Sequence, residues 1–249
     1  EIEDIYLPYK PKRKTRASEA RKKGLEPLAL LVLEQRGEDP EAEAAKYLSE
    51  ELSVASVEEA LAGARDIIAE MVNENTEARA TMRTYFQQHS KFKSVVVSGK
   101  EEEGIKYKDY FNWDEPVKST PSHRVLAMRR GENESILKLE LVPGEEGAIR
   151  LLEKQFIKSS NKNAQQVELA IQDGYKRLLA PSMENELRGF SKEKADEEAI
   201  RVFVENARQL LLAAPMGQKN VLAIDPGFRT GCKVVCLDKQ GKLLENTTI

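Results

Sequence analysis

At Pro215-Met-Gly217-Gln-Lys219 the spacing of apolar residues changes from helical to strand-like, and this change most constrains the fold. Val221-Leu-Ala-Ile leads Asp225 into a glycine-framed turn, Asp225-Pro-Gly227-Phe-Arg-Thr-Gly231. A second apolar run, Cys232 to Leu237, then returns toward Lys239-Gln240-Gly241-Lys242 and a third run. Three short runs separated by turn signals predict a β-meander. Before Pro215 the apolar positions mostly follow the helical period. The expectation is therefore a mainly α chain, with a helical region over 1–215 and the opening strands of a second domain over 216–249. The missing initiator Met and the stop within the meander suggest a segment of something longer. An unfinished sheet has open edges, so residues after about Gln218 are expected to be mobile or paired with another copy.

With 249 residues, 40% of them apolar, the chain can bury a proper core. A formal net charge of −3 supplies no global positive field, so any affinity for nucleic acid must be local. Cys232 and Cys236 sit four apart in a predicted strand, and at about 3.3 Å per residue their Cα atoms lie too far apart to bridge. With only His89 and His123 to join them, no metal site and no cofactor are expected. No apolar stretch approaches the roughly 20 residues that cross a bilayer, and Glu1-Ile-Glu-Asp-Ile lacks the features of a secretory leader. A cytoplasmic protein with no membrane partner and no small-molecule substrate is expected.

Along the helical region, Thr15 caps a helix through Lys23, Gly24 ends it, and Pro27 opens a second carrying Leu28, Leu31 and Val32. The pair resembles a helix-turn-helix, as any αα-hairpin does. Asp39-Pro40 begins a third helix. Ser56 with Glu59 predicts a capping box ahead of Leu61, Ala64, Ile67, Ile68 and Met71, and Thr76 predicts the cap of a helix through His89. Val95 to Val97 fits either a strand or a helix. Thr120-Pro121 predicts a helix ended by Gly131, and the alternation of Leu137, Leu139 and Leu141 with Lys138 and Glu140 predicts a half-buried strand. Helices are expected over 145–158, over 164–179 and after Pro181. Ser191 is expected to cap the last and longest, which ends at Pro215.

Two features could carry chemistry. Asp225 could be one of several carboxylates holding divalent ions for phosphodiester hydrolysis, or the surrounding glycines could bring backbone amides to a nucleotide phosphate; both need further residues, and simple turn formation explains the motif equally. Asp238 reads as a strand end before its turn. The other feature is basic: Lys10, Lys12, Arg13, Lys14, Arg16, Arg21, Lys22 and Lys23 stand together with only Glu19 against them. Such a run could neutralise several phosphates of RNA or DNA, with Tyr6 and Tyr9 as possible stacking partners. It could equally face solvent or the acidic stretch from Glu38 to Glu59. Arg124, Arg129 and Arg130 form a smaller patch that a helix C-terminus also explains.

Four blocks, Ile5-Tyr-Leu-Pro-Tyr-Lys-Pro-Lys-Arg-Lys-Thr-Arg, Pro121-Ser-His-Arg, Tyr175-Lys-Arg-Leu-Leu-Ala-Pro, and Gly217-Gln-Lys followed by Asp225-Pro-Gly-Phe-Arg-Thr-Gly-Cys-Lys, together resemble the bacterial Tex transcription accessory family, in the same order from end to end. The resemblance implies a helical N-terminal region with a helix-turn-helix part, joined to a YqgF domain of ribonuclease H-like fold. In the family, helix-hairpin-helix elements and an OB-fold RNA-binding domain follow. It implies a nucleic-acid-binding scaffold linked to the transcription machinery. Asp225 matches the first ribonuclease H-type carboxylate, yet the resemblance does not make it catalytic, and the expectation is no enzyme activity in this chain. A metal-dependent nuclease using Asp225 and a pure protein-interaction scaffold are the alternatives.

Overall fold

Three short helices, α1 (Arg16–Lys22), α2 (Glu26–Glu34) and α3 (Pro40–Ala44), pack on one long helix, α4 (Val57–Glu74). Small residues set the spacing: Ala17 and Ala20 of α1 are buried, and a Cβ on Gly63 of α4 would lie 2.4 Å from Leu25 Cδ1 and 3.4 Å from Ala20 Cβ. Leu25, Leu28, Ile67 and Ile68 are fully buried there, each contributing about 1.5–3 kcal/mol relative to exposure. The α4 cap differs from the expected box. Ser56 Oγ accepts from Glu59 N at 3.1 Å, but the Glu59 carboxylate turns to Ala55 N, also at 3.1 Å, and to Lys23. The computed structural model describes residues 4, 6, 9, 14–227 and 231–249. The chain divides into two compact units, Glu1–Ala199 and Ile200–Ile249.

The next helix, α5 (Thr76–His89), is capped by Asn75, not Thr76. Asn75 has the extended backbone of a cap, and its side chain accepts from Ala78 N at 2.9 Å. Val95 falls in a strand, β1 (Lys91–Val96), which pairs antiparallel with β2 (Asn112–Pro116) and β3 (Leu137–Val142) in the order β2-β1-β3. Phe92 and Ser94 point inward from β1, and Ser94 Oγ donates to Tyr110 O at 2.7 Å. Leu137, Leu139 and Leu141 bury one face of β3 as the alternation predicted.

Gly131 does not end the helix before β3. Helix α6 (Ser122–Asn133) has Pro121 as its N-cap and runs past Gly131, which is buried against Leu137: a Cβ there would lie 2.6 Å from Leu137 Cδ1. Packing demands the glycine, so its sequence signal as a helix stop misleads. Helix α7 (Glu145–Phe156) leads to α8 (Lys162–Gly174), which lies along α4 with Gly174 against Ala69.

Pro181 and Ser191 do not begin new helices. A π turn over Tyr175–Leu179 passes directly into one continuous helix, α9 (Ala180–Leu211). Pro181 has no N–H to donate and its ring crowds the preceding turn, and the widened π turn just upstream accommodates it. Ser191 is a buried helix-interior residue whose hydroxyl donates to Arg188 O at 3.2 Å. Helix α9 also covers the free edge of β3, because Glu184 accepts from Leu141 N at 3.1 Å and Arg188 donates to Leu139 O.

In the second unit, β4 (Val221–Gly227), β5 (Gly231–Leu237) and β6 (Leu243–Thr248) form the antiparallel meander expected, in that order. Asp238 ends β5 and builds the turn: its carboxylate accepts from Gln240 N and Lys242 N, both at 2.9 Å, while Gly241 takes φ +81°. Leu222, Ile224, Leu243 and Leu244 are exposed on the sheet, as are Phe203, Leu210 and Leu211 on the end of α9. Among the described residues, no helix is long and apolar enough to cross a membrane.

Candidate nucleic-acid interface

Helix α1 starts in a true capping box. Thr15 Oγ1 accepts from Ser18 N at 3.0 Å, and Ser18 Oγ accepts from Thr15 N at 2.9 Å. Thr15 Oγ1 also donates to Glu70 Oε1 at 3.2 Å, which fastens the start of α1 to α4. Because Ala17 and Ala20 take the inner face, the charged residues of α1 lie outside it: Lys14, Arg16 and Lys22 are exposed, while Arg21 and Lys23 are half-buried.

Much of this charge is locally balanced. Lys22 and Lys14 both reach Glu19, at 2.9 and 3.4 Å. Lys23 meets Glu59 at 2.6 Å and holds that carboxyl below its ordinary range, which realises the expected alternative of a contact with the acidic stretch. Arg21 bonds Glu70 and, at 3.1 Å, Glu26. Burial works against the Arg21 charge, but these two carboxylates outweigh it and raise its pKa. Arg16 has no ion pair among the described residues. Lys10, Lys12 and Arg13 lie outside the described residues.

Lys14, Arg16, Lys23, Glu19, Glu59 and Asp66 line an open groove of about 500 Å³ between α1 and α4. Burial pushes the Asp66 carboxyl up, although Arg177 lies 3.0 Å away. Arg177 belongs to the Tyr175-to-Pro181 block and also pairs with Asp173 at 2.6 Å, while burial raises the Tyr175 phenol to about 12. The π turn thus ties this block to the same helix that carries the groove. Sequence reasoning missed Asp66 and Glu70 as neighbours of the basic run, because their proximity depends on α1 crossing α4.

The remaining candidates are placed separately. Tyr6 and Tyr9 are both exposed. Arg124 sits 5.1 Å over the Trp113 ring and pairs with Glu115 at 2.9 Å, Arg129 pairs with Glu132 at 2.6 Å, and Arg130 is exposed. Asp225 lies on β4 opposite Lys233 of β5. Among the described residues, no three His, Cys, Asp or Glu side chains are grouped so as to hold a metal ion. Cys232 and Cys236 are unpaired thiols.

A family model described as Tex central region-like matches residues 35–203. The chain belongs to the Tex family. A second model, for the Tex protein YqgF-like domain, matches residues 219–249, the Tex segment that holds the meander. Tex relatives are similar along the whole chain. Protein tex of Bordetella pertussis is 40% identical over 262 residues, covering 100% of this chain and 33% of that protein. Transcriptional accessory protein Tex of Neisseria gonorrhoeae is 39% identical over 261 residues, with 100% and 33% covered. The S1 RNA-binding domain-containing protein 1 of Homo sapiens is 25% identical over 266 residues, with 100% and 26% covered. The chain spans about a third of the length of the bacterial Tex relatives it matches.

Proposed function

We propose that this Tex chain is a non-catalytic scaffold that binds nucleic acid, RNA or DNA, through Lys10 to Lys23, within a protein that serves transcription in the cytoplasm. The observation that carries this reading is the placement of α1. Its small inner face is locked to α4, so Arg16, with no ion pair among the described residues, and the exposed Lys14 and Lys22 face solvent on a rigid support. Relatives named for RNA binding and transcription point the same way. The helix-turn-helix-like pair then presents its first helix rather than its second, since the solvent face of α2 carries Glu26, Pro27, Leu30 and Glu34 and no cation.

Arg21 and Lys23 contribute less, because a phosphate must compete with the α4 carboxylates Glu70 and Glu59, whereas Lys14 and Lys22 share Glu19 between them and leave net positive charge at the start of α1. Filter binding to single-stranded RNA and duplex DNA tests this by comparing a Lys14→Gln/Arg16→Gln/Lys22→Gln variant with Lys23→Gln. The triple variant should lose most affinity, whereas Lys23→Gln should lose little. Equal binding by the triple variant and the parent contradicts the reading.

A further inference from the structure

Between α5 and α7 runs an open groove of about 820 Å³, larger than the one beside α1, with no carboxylate among its lining residues. Thr81, Tyr85 and His89 recur at helical spacing on one wall; Gly147, Arg150 and Lys154 do so on the other. The Tyr85 and His89 rings lie against each other with centroids 4.7 Å apart and planes 36° from parallel. Gly147 makes room for this arrangement: a Cβ there would lie 2.1 Å from the Tyr85 hydroxyl oxygen, which donates to Gly144 O at 3.1 Å. Lys154 has no ion pair among the described residues. Among the described residues Arg150 has one ion pair, to Glu146 at 3.6 Å, with both side chains mostly in water, where such a pair contributes little.

We propose that this groove is a second binding site, for a short stretch of single-stranded nucleic acid. Bases would stack beside the Tyr85 and His89 rings, and Arg150 and Lys154 would take phosphates. An aromatic platform beside cations is the arrangement that holds single strands without reading their sequence. From Thr81 to His89 the wall is about 12 Å long at 1.5 Å per helical residue, and at about 3.4 Å per stacked nucleotide this accommodates roughly three. An acidic peptide would use the cations but would leave the ring platform idle, and the lining supplies both. The site stands on different helices from the Lys10-to-Lys23 surface and does not depend on it.

The test is fluorescence anisotropy with a short labelled single-stranded oligouridine across a salt series, paired with photocrosslinking of a 5-bromouridine version and peptide mapping. Arg150→Gln/Lys154→Gln changes only exposed side chains, and far-UV circular dichroism checks its fold. It should flatten the slope of log affinity against log salt by about 1.4, from two phosphates at about 0.7 each. His89→Ala should weaken binding about fivefold, and crosslinks should map to Tyr85 or His89. An unchanged slope with crosslinks elsewhere overturns the proposal, as does displacement-free binding of an acidic peptide in the groove. If Lys14→Gln/Arg16→Gln/Lys22→Gln abolishes binding while the groove variants have no effect, the groove fails and the α1 surface stands. The converse pattern establishes the groove and removes the α1 surface.

Discussion

Arg79 of α5 is buried, and its guanidinium donates to Asp4 at 2.7 Å, Glu186 at 2.5 Å and Ser182 Oγ at 3.0 Å. It thereby joins Asp4, α5 and α9 at one point. Arg79→Met keeps the apolar stem and removes every donor. Neither carboxylate is stranded, because Arg83 reaches Glu186 at 2.8 Å and Asp4 at 2.9 and 3.0 Å. The loss therefore falls short of the worst case for an orphaned buried charge, about 5 kcal/mol. Two charge-assisted bonds at about 1.5–3 kcal/mol each, less what Arg83 retains, give about 3 kcal/mol.

Urea unfolding followed by Trp113, the single tryptophan and a residue of the first unit, measures this directly. With a slope of about 2–3 kcal/mol per molar, the midpoint should fall by roughly 1–1.5 M with the slope unchanged. Arg83→Met should cost less, since Arg83 is more exposed than Arg79. Burial alone would raise the Asp4 carboxyl, but Arg79 and Arg83 outweigh it, so its folded pKa is lowered. Its contribution is present above the unfolded value of about 3.9 and is lost as pH falls through the lower folded value. The gap between parent and Arg79→Met should therefore hold down to about pH 4 and shrink below it. A loss under about 0.5 kcal/mol, or a larger loss from Arg83→Met than from Arg79→Met, refutes the reasoning.

Gly131→Ala should lower stability by up to about 2 kcal/mol in a thermal melt: the clash with Leu137 costs about 1–3 kcal/mol against a helix-propensity gain of about 1. Tyr175 should be a late-titrating phenol in a difference-absorbance titration, near pH 12, and Tyr175→Phe should remove that step. Because its folded pKa lies above the unfolded value of about 10, the stability it contributes is whole below pH 10 and declines as pH approaches 12. The second unit exposes Leu222, Ile224, Leu243 and Leu244 on its sheet, so its amides should exchange faster than those of α4, and uniform protection across both regions would contradict this.

The helices of the first unit were legible where a cap and a wide apolar stripe coincide, as at Thr15 and along Ile67 and Ile68. The meander was legible because its turns need glycine. Where tertiary packing overrides local signals, the sequence misleads. Gly131 marks a close approach to Leu137 rather than a helix end, Ser191 sits in the core of a continuous helix, and Asn75 outcompetes the adjacent Thr76 as cap. Strand β2 left little trace because Asn112 to Pro116 has a weak apolar alternation and is placed by pairing with β1. At the candidate interface the cations were visible in sequence together with Glu19 and, as the end of the acidic stretch, Glu59, but Glu70 was not. Glu70 lies on α4, distant in sequence from α1, and only the crossing of the two helices brings it to Arg21. The α5–α7 groove was likewise invisible, because its lining is shared between two helices separated in sequence.

The most direct test of nucleic-acid binding by the Lys10-to-Lys23 surface is the salt dependence of RNA affinity, measured by anisotropy for the parent chain and for a variant with Lys12, Arg13, Lys14 and Arg16 changed to Gln. At about 0.7 per phosphate on a single strand, the account predicts a parent slope steeper than about −2 and a variant slope flattened by at least about 1.4. Identical slopes for the two proteins, or no binding by either at low salt, would contradict it.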